Sequence, residues 1–191
     1  MHEALFDTPD DAVVVENAFG RVSGRDIHRL RKGDWLNDEV INYYLLMIRE
    51  RSMNPGTFIN SKKPHSKGPT KKLPRIHAFN TFFYALLSER GYQGVRRWTK
   101  KAKVNLFDLD KVVIPVNRGN QHWVLCVVNV SQKRIEYYDS MGNAGVSNQN
   151  RPVLETVKRF MIEEAKAQNR SPADVEEWTF YVPVLTLELQ C

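Results

Sequence analysis

The sequence predicts an α+β fold, and three observations lead to this prediction. Apolar residues recur at helical spacing in three separate stretches of the chain. Short runs of β-branched and aromatic residues, separated by turn-forming residues, occupy the stretch from Lys111 to Tyr138. The length of 191 residues and the 42% apolar content suit one domain with a buried core, which excludes a disordered tail. We therefore expect a mostly antiparallel central sheet flanked by helices.

Helical spacing predicts three helices. The first runs from Trp35 to Arg51, where Asp34 or Asn37 can accept hydrogen bonds from the first amides. The second covers Asn80 to Glu89, and the third covers about Pro152 to Gln168. The first helix carries an apolar stripe that predicts packing on a core, made of Val40, Ile41, Tyr44, Leu45 and Ile48.

Four strands are predicted in the second half of the chain. Three of them lie at Val112–Val116, Trp123–Val130 and Arg134–Tyr138. The run from Val124 to Val128 is apolar on both faces, as in a central strand. The last short strand is expected at Trp178–Val182.

The basic character of the chain comes from one region. Arg51 to Lys103 holds thirteen Lys and Arg residues and one acid, Glu89, a local charge of +12 against +6 for the whole chain. Within it, residues 53–75 are rich in proline, glycine and lysine, which predicts an exposed basic loop insertion. We expect residues 1–191 to form a single domain that carries this insertion.

Composition also limits the functional class. No apolar run approaches the length of a membrane span, and the first residues lack a secretory signal, so we expect a soluble, intracellular protein without membrane partners. Cys126 and Cys191 cannot form a disulfide framework, and neither lies in a zinc-binding pattern. We expect free thiols, no metal and no cofactor.

One pair of residues could carry chemistry. His122 stands where a loop enters the central strand, and Asp139 stands where the next strand leaves the sheet. A carboxylate that orients an imidazole is the His-Asp half of a nucleophile triad. A simple hairpin ladder places Asp139 opposite Leu125 or Cys126, roughly 10 Å along the strand from His122, so contact requires a bend. On spacing alone, a solvated loop histidine and a turn aspartate remain an alternative.

Several strings together resemble a known family, the SUMO-specific cysteine proteases, also called sentrin-specific or ubiquitin-like-protein proteases. The resemblance runs from about Arg25 to Pro183. The strings that carry it are Trp35-Leu36-Asn37-Asp38, Ala78-Phe79-Asn80-Thr81-Phe82-Phe83-Tyr84, Ser88-Glu89-Arg90-Gly91-Tyr92-Gln93-Gly94-Val95-Arg96-Arg97-Trp98, His122-Trp123 and Tyr138-Asp139-Ser140.

The resemblance implies a papain-like fold and a Cys-His-Asp triad that cleaves after the terminal Gly-Gly of a SUMO-type modifier. By position, His122 would be the base and Asp139 its orienting acid. Trp35 and Trp123 would be the indoles that close over the Gly-Gly tail, and Arg25 and Asp38 would contact the folded body of the modifier. The resemblance also implies SUMO-like modifiers and SUMO-conjugated proteins as partners, a location in the nucleus or in both nucleus and cytoplasm, and a monomer.

The segment before the end of the chain departs from the family. The family has Pro-Gln-Gln-x-Asn-Gly-x-Asp-Cys-Gly, whereas this chain reads Pro183-Val-Leu-Thr-Leu-Glu-Leu-Gln-Cys191. Leu185 stands where the family has the glutamine that donates to the oxyanion, and Gln190 replaces the aspartate before the nucleophile. Cys191 keeps the position of the nucleophile. We therefore expect impaired catalysis and a domain whose C-terminal helices are missing, as in a divergent, truncated or frame-shifted product.

Two other functional classes remain open. A non-catalytic pseudoenzyme would keep Trp35, Asp38 and Trp123 as a surface for binding the modifier. A nucleic-acid-binding module would use the basic region, although few aromatic residues interrupt it for base stacking. Its candidate residues are Lys62, Lys63, Lys67, Lys71, Lys72, Arg96, Arg97, Lys100, Lys101 and Lys103.

Overall fold

The structure is a computed structural model that describes residues 6–17, 20–54, 73–142 and 144–183. It contains two compact units, Met1–Leu73 and Pro74–Cys191. Most of the predicted insertion lies outside the described residues, and so do Cys191 and the segment before it. Among the described residues, no helix is both long enough and apolar enough to cross a membrane.

The first unit combines a small sheet with two helices. Strands β1 (Val13–Asn17) and β2 (Gly20–Ser23) pair antiparallel, and helices α1 (Gly24–His28) and α2 (Asp38–Met53) follow them. The two strands and α1 were not predicted, because they are too short to show a clear period. Helix α2 packs against β2.

Helix α2 confirms one expected cap and corrects one expected burial. Asn37 Oδ1 accepts a hydrogen bond from the Val40 amide at 3.1 Å, as one of the two caps predicted. Leu45 is buried, but Tyr44 is 63% exposed, so the prediction that it faces a core is wrong. Tyr44 lies at the margin of the apolar stripe, where a phenol ring can remain in contact with water.

The second unit contains a mixed five-stranded sheet. Its strands are β3 (Ile76–Ala78), β4 (Lys111–Arg118), β5 (His122–Asn129), β6 (Arg134–Tyr138) and β7 (Thr179–Tyr181), in that spatial order. Strand β5 is central, as predicted. The pairs β4–β5 and β5–β6 are antiparallel, whereas β3 and β7 pair parallel to their neighbours. The sheet is therefore half parallel rather than mostly antiparallel, because the unpredicted β3 and the crossover to β7 add the parallel edges.

The helices of this unit cover one face of the sheet. They are α3 (Phe82–Val95), α4 (Trp98–Ala102), the 3₁₀ turn Leu106–Asp108, α5 (Arg151–Ala167) and α6 (Ala173–Glu176). Helices α3 and α5 pack against the sheet and against each other. In the core, Phe83 stacks on Phe79 with ring centroids 3.7 Å apart and meets the edge of Phe160. The apolar face of α5 is buried, as its periodicity predicted.

Helix α3 is longer than the sequence predicted. The prediction ended at Glu89, and the backbone of Gly91 does leave the helical region there, with φ 60° and ψ −161°. Glycine adopts this conformation without the penalty that a side chain would bring. The chain then resumes the helix and continues to Val95, which places Tyr92 and Arg96 beyond the kink.

Candidate active site

The register of the sheet brings the candidate acid and base to the same face. Arg118 pairs with His122 across the β4–β5 hairpin, and Tyr138 pairs with Leu125 across β5–β6. Asp139 follows Tyr138, so it falls at the level of Val124 and on the same side of the sheet as His122. The expectation that Asp139 lies opposite Leu125 or Cys126 was therefore wrong by one or two residues. The two side chains are diagonal neighbours and need no large bend to meet.

His122 and Asp139 are in direct contact. His122 Nε2 lies 2.6 Å from Asp139 Oδ1, and the two side chains are 18% and 10% exposed. A carboxylate oxygen at this distance accepts a hydrogen bond, so the proton of the neutral imidazole belongs on Nε2. The lone pair of the ring is then on Nδ1, which is the nitrogen that could take a proton from a nucleophile.

Two further groups donate hydrogen bonds to the carboxylate of Asp139, and a third donates to one of those two. The Met141 amide donates to Oδ1 at 2.9 Å, and the Tyr137 hydroxyl donates to Oδ2 at 3.4 Å. Arg118 Nη1 donates to the same hydroxyl at 3.2 Å, which places a positive charge behind it. Partial burial acts to raise the pKa of Asp139, but the hydrogen bonds from His122 and the Met141 amide outweigh it and lower that pKa. Asp139 is therefore ionised at neutral pH and can orient the imidazole.

The turn after Asp139 requires glycine at position 142. A Cβ atom on Gly142 would lie 2.9 Å from the Asp139 Cβ and 3.0 Å from its carboxylate carbon. The Gly142 amide also donates to the Asp139 carbonyl oxygen at 3.2 Å. A side chain here would push the carboxylate away from His122, because Cβ atoms do not approach this closely.

Cys126, the cysteine that lies within the described residues, is too far from His122 to be its nucleophile. Cys126 lies on the same face of β5 as His122 but four residues along the strand, roughly 13 Å away at about 3.3 Å per residue. Its side chain is fully buried, which raises the pKa of the thiol well above its usual range, and the charge of Glu136 adds to the effect. Cys126 is therefore a free thiol, as expected from the sequence, and it is buried. The other cysteine, Cys191, lies outside the described residues.

Comparison with known proteins decides the family. A model of the Ulp1 protease family, C-terminal catalytic domain, matches residues 34–186, which include His122 and Asp139. The chain belongs to the Ulp1 protease family. As in the sequence-based expectation, the fold is the papain-like α+β fold of this family.

Relatives of known name agree with the Ulp1 assignment. Sentrin-specific protease 2 of Mus musculus is 35% identical over 178 residues, which cover 93% of this chain and 26% of that protein. Ubiquitin-like-specific protease 1 of Saccharomyces cerevisiae is 34% identical over 145 residues, which cover 76% of this chain and 20% of that protein. The chain thus spans about a quarter of the length of the mouse protein.

A solved structure shows the same architecture. The C-terminal Ulp1 protease domain in complex with Smt3, the yeast ortholog of SUMO, superposes with a TM-score of 0.73 and 27% sequence identity. The match covers 95% of this chain and 70% of the yeast domain. The fold of the chain therefore resembles that of the Ulp1 catalytic domain over most of its length.

The predicted substrate-binding residues lie in different units. Trp123 is next to His122 on β5 and pairs with Asn117, so its side chain is on the opposite face of the sheet from the imidazole. Trp35, 53% exposed, precedes α2, and Asp38 is the first residue of that helix. Arg25 lies in α1 and forms an exposed ion pair with Asp10 at 3.6 Å. The predicted pairing of Trp35 with Trp123, and the roles of all four residues, stay predictions.

The basic candidates divide into two groups. The first group is exposed around α4 and comprises Arg96, Arg97, Lys100, Lys101 and Lys103. The second group, the lysines between 62 and 72, lies outside the described residues.

Sequence reasoning missed three groups that support the contact between His122 and Asp139, namely Arg118, Tyr137 and the Met141 amide. Tyr137 could have been found, because it stands two residues before Asp139 on one strand and so shares its face.

Proposed function

We propose that the protein is a cysteine peptidase of the Ulp1 family that cleaves after the terminal Gly-Gly of a SUMO-type modifier. The observation that carries the proposal is the short, largely buried contact between His122 and Asp139 inside the matched catalytic domain. The similarity to a protease domain in complex with Smt3 supports a SUMO-like modifier as the partner. The reaction is either maturation of a modifier precursor or release of the modifier from a conjugated protein.

In this mechanism His122 is the general base and Asp139 orients it. His122 Nδ1 accepts the proton of the thiol, and the thiolate attacks the carbonyl carbon of the last glycine. The imidazolium that forms is stabilised by the ionised carboxylate of Asp139 and then donates its proton to the leaving amine, which leaves a thioester. Attack of water on the thioester releases the modifier and the thiol.

The nucleophile in the proposal is Cys191, and we propose that its turnover is low. Leu185 stands where the family has a glutamine that donates to the oxyanion, and an aliphatic side chain cannot donate. Loss of one such donor lowers the rate by about 10²- to 10³-fold. Gln190 removes the acidic residue that precedes the nucleophile in the family.

Substrate recognition would rest on the two tryptophans. Two flat indole rings that lie a few ångströms apart admit a backbone without side chains, which selects glycine and aligns the scissile bond. Trp35 and Trp123 are the proposed pair, with Asp38 and Arg25 as contacts to the body of the modifier. Calorimetry with modifiers ending in Gly-Gly and Gly-Ala tests this selection, because equal affinities would contradict it.

The experiment that tests the function uses a SUMO C-terminal reporter, with a ubiquitin reporter as the specificity control. We expect the purified chain to cleave the SUMO reporter little above background. Replacing residues 184–191 with the glutamine-containing segment of the family and its following helices should restore cleavage of SUMO but not ubiquitin. Robust cleavage by the unmodified chain that is lost in Cys191→Ser would contradict the low turnover while supporting the family mechanism.

A second candidate is a modifier-binding protein without turnover, which the unusual residues at 184–190 favour. Its signature is measurable affinity for a Gly-Gly modifier together with no cleavage even after the replacement of residues 184–191.

We also propose a nuclear location, supported by the basic stretch between Arg51 and Lys103. A fluorescent fusion that stays in the cytoplasm would contradict it.

A further inference from the structure

A cavity of about 500 Å³ lies near the ends of α3, α4 and α5. It shares no residue with the smaller cavity of about 300 Å³ beside Asp139. Four of the side chains around it carry a positive charge: Arg96, Lys100, Lys103 and Arg170. This volume is typical of sites for small molecules and too small for a protein domain or a nucleic-acid duplex.

Three of these four charges form no salt bridge within the part of the chain that the structure describes. Arg96, Lys100 and Lys103 form no salt bridge there, whereas Arg170 pairs with Asp108 at 3.3 Å. The fourth charge is therefore partly neutralised and the other three are not. Like charges that surround one cavity repel each other, and a bound anion would relieve this repulsion.

The single acid of the lining is buried and forms no salt bridge with these cations among the described residues. Glu164 is 2% exposed and accepts hydrogen bonds from Thr99 Oγ1 at 3.2 Å and from Gln168 Nε2 at 3.4 Å. Burial is the largest influence on Glu164 and raises its pKa above the usual range, although its hydrogen bonds and the charge of Lys100 oppose the rise. The other end of the Gln168 amide, Oε1, is buried without a donor among the described residues. The polar lining is thus positively charged, and one of its buried acceptors has no hydrogen bond among the described residues.

We propose that this cavity binds a small molecule that carries two or more phosphate groups, held by Arg96, Lys100, Lys103 and Arg170. Guanidinium groups match the geometry of phosphate oxygens with two parallel hydrogen bonds, and ammonium groups add point charges. A mixture of both types around one small volume suits several phosphates close together better than a single carboxylate.

The proposal makes binding depend on the protonation of Glu164. A phosphate in the cavity disfavours the ionised carboxylate, so Glu164 takes up a proton on binding, and its ionisation at higher pH weakens binding relative to a protein without this carboxylate. The variant Glu164→Gln has an amide that cannot ionise, so it should bind the ligand with less dependence on pH. The charged and titratable groups around Glu164 are Tyr92 on α3, Arg96, Lys100 and Lys103 around α4, Glu163 on α5, and Arg170 after it.

The test is calorimetry of the full chain with tripolyphosphate. The double variant Arg96→Gln/Lys100→Gln should bind about tenfold more weakly or worse, because two of the four charges are gone. The matched control is Arg97→Gln/Lys101→Gln, which removes the same charge from exposed neighbours that do not line the cavity. Its affinity should stay within about twofold of wild type. Equal weakening in both variants, or no saturable binding by wild type, would overturn the proposal.

Two further arms separate the alternatives. An oligothymidylate that binds more tightly than tripolyphosphate, and that loses affinity equally in both double variants, would indicate a nucleic-acid surface instead of a small-molecule site. Proton uptake is measured for wild type and Glu164→Gln from the heat of binding in buffers of different ionisation enthalpy. Greater uptake by wild type supports the proposal, because the titration of the ligand is common to both proteins, and equal uptake contradicts it. None of these measurements depends on His122 or on catalysis.

Discussion

The contact between His122 and Asp139 should contribute about 2 kcal/mol to stability, and a double-mutant cycle can measure it. The changes are His122→Gln, Asp139→Asn and the two combined. His122 Nε2 and Asp139 Oδ1 are 2.6 Å apart, and the side chains are 18% and 10% exposed, so water screens the contact only weakly. A hydrogen bond to a charged group contributes about 1.5 to 3 kcal/mol.

Urea unfolding of the four proteins at neutral pH gives the coupling free energy. The matched control is a second His–Asp contact, between His28 Nδ1 and Asp10 Oδ1 at 2.9 Å, in which the carboxylate is 57% exposed. Exposed pairs contribute about 0.2 to 1 kcal/mol, so the control coupling should be clearly smaller. A coupling below about 0.5 kcal/mol for His122 and Asp139, or one equal to the control, would refute the reasoning that burial strengthens this contact.

Three more predictions concern pH, the core and the described thiol. Burial opposes ionisation of Asp139, but its hydrogen bonds outweigh this and lower its pKa, so its contribution to stability is present at neutral pH and is lost as pH falls through the folded value. The stability deficit of Asp139→Asn in urea unfolding should therefore shrink below about pH 4, and a constant deficit would argue against an ionised Asp139. Phe83→Ala should cost about 3 to 5 kcal/mol in unfolding free energy, whereas Phe82→Ala, at a 61% exposed neighbour, should cost less than about 0.5 kcal/mol. In a Cys191→Ser background, Cys126 should resist iodoacetamide until the chain unfolds, and labelling of the native protein would show that the thiol is accessible.

The second half of the fold could be predicted from the sequence because its elements are long or strongly patterned. Strand β5 is apolar on both faces, which only a central strand tolerates, and α5 repeats its apolar residues at helical spacing. The short strand β3 (Ile76–Ala78) has three residues and no period, yet its parallel pairing with β4 fixes the edge of the sheet. Such pairing depends on tertiary contacts that a local pattern does not encode.

The dyad could be identified by motif, but its geometry could not. Counting along an idealised hairpin misplaced Asp139, because the true register depends on the length and shape of the turn after β5. The support from Arg118 depends on its pairing with His122 across the other hairpin. Glu164 was missed for a different reason, since it is a charged residue on the buried face of α5, where sequence patterns predict apolar side chains.

The central claim is that His122 and Asp139 activate a thiol for cleavage after Gly-Gly. The most direct measurement is the intact mass of the products from a SUMO precursor with residues beyond the Gly-Gly, incubated with the chain that carries the restored nucleophile segment. The account predicts a modifier product that ends at the second glycine, no product in His122→Ala, and a rate reduced by about 10³-fold or more in Asp139→Asn. Cleavage at another bond, or cleavage that persists in His122→Ala, would contradict the account.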